Sequence, residues 1–300
     1  MATTNNFAAL TEERLAVMQN DVLVGFKQAS AVAAYTVNAV ESGTLEVGQK
    51  IKVPLIPAIT IEDYDGDDLA MGDLTITSAD LVADQQRAWS FKLDDVNEVW
   101  ARSAVENGLL ARAGYDVGLD MNAKFLAQYV NVHADNKLNS DDFKSGGGAS
   151  DAIVPSAAEN SNYYVGKILA KIARIFDEND APYQDRVFFC PPFFVEKLIQ
   201  ANLTKMDAPE VVKQQAVING FVARLYGMDI VSTNKLTVNT DTFGYAFQRN
   251  HLLTGMGTNK FRVVEMEKNF KALFKGVVVY GSKVYQSKFG ISLRLNDTTE

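Results

Sequence analysis

Hydrophobic positions along this chain recur with two different periods, and the two periods come in blocks. From Asp94 to Asn131 no proline interrupts, and Trp100, Ala104, Gly108, Ala111, Tyr115, Gly118, Asn122, Phe125 and Tyr129 recur every three or four residues. That spacing predicts one stripe of a long helix, with Asp94 and Asp95 placed to cap its amino end. The stripe is small in its middle, so another backbone could approach closely there. Gly108, Gly114 and Gly118 each weaken a helix by roughly 1 kcal/mol relative to alanine, so only tertiary packing can hold it. The alternative is two shorter helices broken at Gly114.

Elsewhere the blocks are shorter. Thr11 caps a segment to Val40 whose Leu15, Met18, Val22 and Phe26 share a helical face, and its alanine-rich end continues the helix or passes into an extended piece. From Ser42 to Leu93 the period becomes that of strands: 50–55, 74–77 and 87–93 alternate, around an acidic, glycine-bearing tip at Glu62–Asp68. This reads as a two-stranded excursion that leaves the body and returns to the helix start. Such a ribbon is marginal alone and needs a surface to lie on. A polar connection, 134–162 with SGGGAS at 145–150, reads as a flexible loop or linker. Helices are expected at 163–177 and from Pro191–Pro192 to Leu203, with helical or turn-rich chain at 209–225. Strands are expected at 186–190, 228–232, 245–248, 261–266, 272–285 and 290–295. Helices and strands are grouped, which makes the class α+β.

Composition then removes several functions. The chain has 300 residues, 29 basic and 37 acidic, for a net charge of −8. That balance argues against a dedicated binder of nucleic acid or anionic membrane, which needs a basic face. Cys190 is the only cysteine, so no intrachain disulfide can form, and within VFFCPP it reads as a buried thiol. The amino terminus carries Glu12 and Glu13 and no apolar core, unlike a secretory signal, and no apolar run reaches the length of a membrane span. A soluble protein folded in a reducing cytoplasm is expected, with the sequons at Asn202 and Asn296 coincidental.

No catalytic constellation survives inspection. His133 and His251 are the only histidines, each expected as a polar surface or satisfied core residue rather than a zinc ligand. Asp63, Asp65 and Asp67 fit the first positions of a calcium loop, but Asp68 stands where glycine is needed and Leu74 where a bidentate glutamate belongs. The glycines at 255 and 257 lack a third for a dinucleotide fingerprint and the lysine–serine ending of a P-loop, and no serine sits in a nucleophile elbow. No catalytic, cofactor-binding or metal-binding residue is named, and no cofactor is expected.

Three late segments carry a family resemblance when taken with the helix. Arg186–Pro192 followed by Leu198–Ile199 reads as strand, proline, helix. Gly220–Asn234 reads as a glycine-bracketed turn leading into a strand that ends in asparagine. Phe261–Glu267 and 272–295 read as a strand, a long strand and a final short one. Preceded by an extended ribbon and a long helix, this order resembles the major capsid proteins of tailed bacteriophages, whose fold is shared with encapsulins. The resemblance implies an amino-terminal arm at 1–40 and an extended β-hairpin loop at 41–93. It implies a peripheral domain at 94–160 with the spine helix, completed by 261–285, and an axial domain at 161–260, completed by 286–300. It further implies a structural, non-enzymatic coat subunit that self-assembles into pentamers and hexamers of an icosahedral phage head around double-stranded DNA. Its implied partners are other copies of itself, a separate scaffolding protein, portal and decoration proteins, and DNA held by non-specific proximity, with no membrane. The chain carries no long amino-terminal scaffolding extension of the kind some relatives have, hence the separate scaffold. The implied location is the virion, with assembly in the host cytoplasm. An encapsulin-type nanocompartment shell, an α+β enzyme with an unrecognised carboxylate site, and a phage tail or head-completion protein are the other readings.

Overall fold

A computed structural model describes residues 31–39, 48–55, 76–94, 104–143, 151–201, 203, 221–238, 241–257, 260–265 and 271–297. In chain order its strands begin with β1 (Val37–Asn38), β2 (Lys50–Leu55), β3 (Thr77–Val82), β4 (Gln85–Asp94), β5 (Lys137–Leu138), β6 (Arg186–Cys190) and β7 (Phe221–Leu225). They continue with β8 (Met228–Ser232), β9 (Thr237–Val238), β10 (Asp241–Gln248), β11 (Leu252–Met256), β12 (Lys260–Glu265), β13 (Lys271–Val284) and β14 (Gly290–Leu295). Three α-helices are described: α1 (Ala104–Leu126), α2 (Val165–Glu178) and α3 (Pro192–Gln200).

The run Arg186–Cys190 shows why one sheet sits at the centre. Every residue of β6 is buried. Phe188 and Cys190 pack with Ile168, Ile172 and Leu198 of α2 and α3, whereas Val187 and Phe189 pack with Met121 and Phe125 of α1. Because both faces are covered, the strand reads as a continuous apolar run instead of alternating with polar residues. The sheet has seven strands in the order β5-β14-β10-β6-β8-β7, with β9 also on β10. The β6–β8 and β5–β14 pairs are parallel, and β10 runs antiparallel to both β6 and β14. Strands β7 and β8 are joined by Tyr226 and Gly227 at φ 52° and 75°. Positive φ at both central residues is what a type I′ hairpin turn requires.

The second sheet has five strands, β1-β11-β13-β12, with β4 paired to β13. All ten residues of β4 are in register with β13 from Lys271 to Tyr280. Trp89, Phe91, Phe261 and Phe274 gather on one face of this sheet with Leu110 of α1. The Trp89 indole lies across Gly276, where an added Cβ would come within 2.6 Å of it. The opposite face receives the ribbon of β2 and β3, whose Ile51 and the following Ala83 pack against Val277 and Val279. Gly281 permits that approach: a Cβ there would lie 2.2 Å from the Val82 carbonyl oxygen. Further out, the Tyr285 hydroxyl donates to the Pro54 carbonyl at 2.8 Å.

Several sequence expectations are corrected here. Helix α1 runs unbroken through Gly114 and Gly118, as the leading expectation had it and against the alternative of a break at Gly114, because both glycines are buried where the helix lies against the sheets. Its buried line runs through Leu110, Gly114, Gly118, Met121 and Phe125, so the amino-terminal half of the expected stripe is rotated and Gly108 faces solvent. Leu110 decides this by reaching the aromatic cluster on β4 and β13. Asp94 is not a helix cap; it ends β4 opposite Lys271. The described end of the first segment is a 3-10 turn, Val32–Tyr35, followed by β1, and not helix to Val40. The strand expected at 74–77 lies at Thr77–Val82, and Phe221–Leu225 is a strand, not helical chain. The polar connection is pinned on both sides of residues 144–150. Leu138 and Ile153 are fully inside the core, Ile153 bridges to Leu295, and the Lys171 ammonium meets the Asp142 carbonyl and lies over the Phe143 ring at 4.5 Å. The helix expected to Val40 before residue 31, the acidic tip and the triple glycine lie outside the described residues.

Candidate functional site

The residues that could carry chemistry are each committed to the fold. Cys190 is fully buried, and its thiol faces the Val231 carbonyl at 3.7 Å. Burial pushes that thiol well above its ordinary pKa, so it stays protonated and unreactive. His251 is also fully buried, and burial pushes its pKa down to about 4 despite a hydrogen bond to backbone. The ring is therefore neutral. Its Nδ1 lies 2.5 Å from the Gln286 carbonyl, which can only accept, so Nδ1 carries the proton. Nε2 then accepts from the Tyr245 hydroxyl at 2.7 Å. This histidine sits where two crossings between the sheets pass, from β10 to β11 and from β13 to β14. A Cβ on Gly290 would come within 2.4 Å of its ring, so the crossing has room only for glycine. His133 instead pairs with Asp135 at 3.4 Å on the surface.

Arg186 is the largest fully buried side chain, and its charge is answered within the fold. Its guanidinium donates to the carbonyls of Pro182 and Ala181 and pairs with Asp177 at 2.9 Å, between the rings of Phe176 and Tyr183. Between α1 and β4 lies an open groove of about 340 Å³ lined by Arg87, Trp89, Phe91, Val117, Asp116 and Asp120. Its carboxylates are taken: Asp120 accepts from Tyr280 at 2.5 Å and pairs with Arg87 at 3.0 Å, and Asp116 pairs with Arg112 at 3.1 Å. The Asp120 contacts tie α1 to both strands beneath it. Among the described residues no group of three or more His, Cys, Asp or Glu could hold a metal, and no helix is long and apolar enough to cross a membrane. Gly255 is a ladder residue opposite Gly281, and the Gly257 amide bonds to Val279, so this glycine stretch serves the sheet.

The ribbon strands β2 and β3 pair only with each other. The face of the five-stranded sheet on which the ribbon stands also exposes Lys92, Lys260, Arg262 and Lys275. Sequence reading missed these four. The alternation Lys260-Phe261-Arg262-Val263 signals a two-faced strand, but only the register shows that the cations of three strands share one face.

No family model matches the sequence, and no curated protein matches it. Solved structures do match. A structure from Mycobacterium phage Che8 aligns with a TM-score of 0.60 at 19% identity, covering 87% of this chain and 89% of that one. The capsid structure of cyanophage P-SCSP1u aligns at 0.58 with 16% identity, over 88% of this chain and 86% of that one. The chain has the tailed-phage capsid fold. A virus-like particle from Pyrococcus furiosus aligns at 0.55 with 12% identity, over 92% of this chain and 97% of its own. Helix α1 falls within the segment whose spacing predicts a long helix, and β2 and β3 fall within the segment expected to form a two-stranded excursion. The strands at 186–190, 228–232 and 290–295 fall where the pattern placed them.

Proposed function

We propose that this chain is a major capsid subunit that self-assembles into pentamers and hexamers of an icosahedral phage head enclosing double-stranded DNA. The observation that carries the reading is the agreement of nearly the whole chain with solved phage capsids, including a ribbon projecting from a two-sheet body. It is supported by buried Cys190 and His251 and by carboxylates committed to ion pairs, none of which is free for catalysis. On this reading the protein is structural and not an enzyme, and its place is the virion, with assembly in the host cytoplasm. The proposed amino-terminal arm is 1–40 and the proposed extended loop 41–93. The peripheral domain comprises α1 with the five-stranded sheet, and the axial domain comprises α2 and α3 with the seven-stranded sheet. A separate scaffolding protein, a portal and decoration proteins complete the set of partners.

The test is assembly of the purified protein, alone and with the scaffolding protein of the same source, followed by sedimentation velocity and negative-stain microscopy. Closed particles of uniform diameter are expected; a lone monomer under every condition would sink the reading. The likeness to the Pyrococcus virus-like particle favours one second reading, a nanocompartment shell around a protein cargo. Particles filled with protein instead of DNA when isolated from the native host would select it.

A further inference from the structure

Strand β4 leaves one edge open. Its 10 residues pair with β13 without a register shift, and no described residue bonds to the strand on its other side. In an antiparallel ladder alternate residues turn their N–H and C=O away from the partner strand, so about half of β4 presents both groups to that edge. Folded proteins ordinarily blunt such an edge with a short strand, a proline or a bulge. Strand β4 has none of these.

The open groove of about 340 Å³ between α1 and β4 runs along this edge. Arg87, Trp89 and Phe91 line it, and so do Ala88 and Ser90, whose side chains belong to the opposite face of the sheet. The groove therefore follows the strand's backbone. Across from the aromatic rings stand Ala113 and Val117, one turn apart on α1, and no residue of β13 takes part.

The chemistry of an occupant follows from the three sides it would touch. Only another extended polypeptide offers N–H and C=O groups at the spacing of the open edge, so nucleic acids and small molecules leave that edge unanswered. Toward α1 the occupant meets half-buried Trp89, Phe91 and Val117. The carboxylates there, Asp116 and Asp120, are engaged by Arg112 and Arg87, so neutral apolar side chains fit. On the other side its neighbours are Ala88, Ser90 and Lys92, with Lys275 and Arg262 on the next two strands. These three cations are exposed, and none pairs with a carboxylate among the described residues. Arg262 stands directly opposite Lys275, and like charges so opposed destabilise a sheet until an anion lies near. Acidic side chains fit that side. Successive residues of a strand point to opposite faces, so the two requirements alternate along the occupant.

We infer that the open edge of β4 takes an extended segment of a partner protein as an added strand, with apolar residues facing α1 and acidic residues beside Lys92. Such a strand needs only the folded subunit, whether or not shells form.

The test uses a fluorescent peptide of about eight residues, the length of an ordinary strand, alternating valine and glutamate. It is titrated into the full-length protein and followed by anisotropy. One control peptide collects the same residues into a valine block and a glutamate block; the other replaces glutamate with lysine. The alternating acidic peptide is expected to bind at least about tenfold more tightly than either control. Amide hydrogen exchange across 85–94 should slow on binding, because the added strand takes up the open N–H groups. Ala113→Tyr fills the groove from the helix side, and Lys92→Glu reverses an exposed charge. Each should weaken binding by about tenfold while melting as wild type does. If Ala113→Tyr melts lower, Lys92→Glu and the lysine peptide decide the case. Equal binding of the block peptide, binding without slowed exchange across 85–94, or undiminished binding by Lys92→Glu overturns the added strand. Protection across 85–94 that rises with protein concentration in the absence of peptide would assign the edge to a second copy and overturn the separate partner.

Discussion

At the scale of single residues, His251 shows how burial turns a titratable group into a structural one. Its ring lies edge-on to Tyr245 and tilted against Phe247, accepts the Tyr245 hydroxyl and donates to Gln286, and no carboxylate faces it from any of these. The neutral form is therefore the one that the fold binds. An unfolded chain takes up the proton near pH 6.5 and the folded one only near about 4. The unfolded state thus binds more protons between those values, and stability falls as pH drops through that window. The loss is on the order of 3 kcal/mol for a shift of this size, fully restored above pH 6.5. Carboxylates titrate nearby, so the variant is the control. His251→Gln should be less stable than wild type at pH 7, and the gap in melting temperature should narrow as pH falls toward 4. A gap that stays constant would show that the imidazole is not held neutral.

At the scale of elements, two glycines make opposite demands. Gly108 lies on the exposed side of α1 with nothing within 4 Å of an added Cβ. Gly108→Ala should therefore raise stability by up to about 1 kcal/mol through helix propensity alone. Gly281 lies under the ribbon, and Gly281→Ala places a methyl against the Val82 carbonyl. Backbone must move, at a cost of about 1–3 kcal/mol for overpacking, and the ribbon base would lift from the sheet. Thermal melts of the two variants should shift in opposite directions; a lower melting temperature for Gly108→Ala would place that side of the helix in a contact. The sequence stripe had grouped Gly108 with Gly118. Only Leu110, anchored among Phe274, Phe91 and Trp89, sets the rotation of the helix.

At the scale of the whole molecule, the ribbon separates folding from assembly. Its base contributes Ile51, Ala83 and Tyr285 contacts to the body, but residues 62–72 are polar and acidic and can add little to a core. Replacing Glu62–Gly72 with an Asn-Gly turn is expected to leave far-ultraviolet circular dichroism nearly unchanged and melting cooperative, because both sheets keep their strands. Electron microscopy of the same variant should show no regular particles. Unfolding instead would place the segment in the core, and normal particles would remove the ribbon tip from assembly.

The sequence by itself determined the elements whose period is strong and whose environment is uniform. Arg186–Cys190 is legible because burial on both faces leaves the apolar run Val187–Cys190, and Gly290–Leu295 because Ile291, Leu293 and Leu295 alternate with polar residues. Tertiary structure alone decided the rest. Leu138 and Ile153 look like stray apolar residues in a linker until β14 offers each an edge to pair with. The rotation of α1 was ambiguous because its small residues lie all round the helix, and packing against β13 chose among them. The basic face is invisible in a chain of net charge −8, because Lys92, Arg262 and Lys275 are far apart in sequence and become neighbours only through the register of β4, β12 and β13. Period is a local property that a sequence carries; register is a long-range one that only the folded chain fixes.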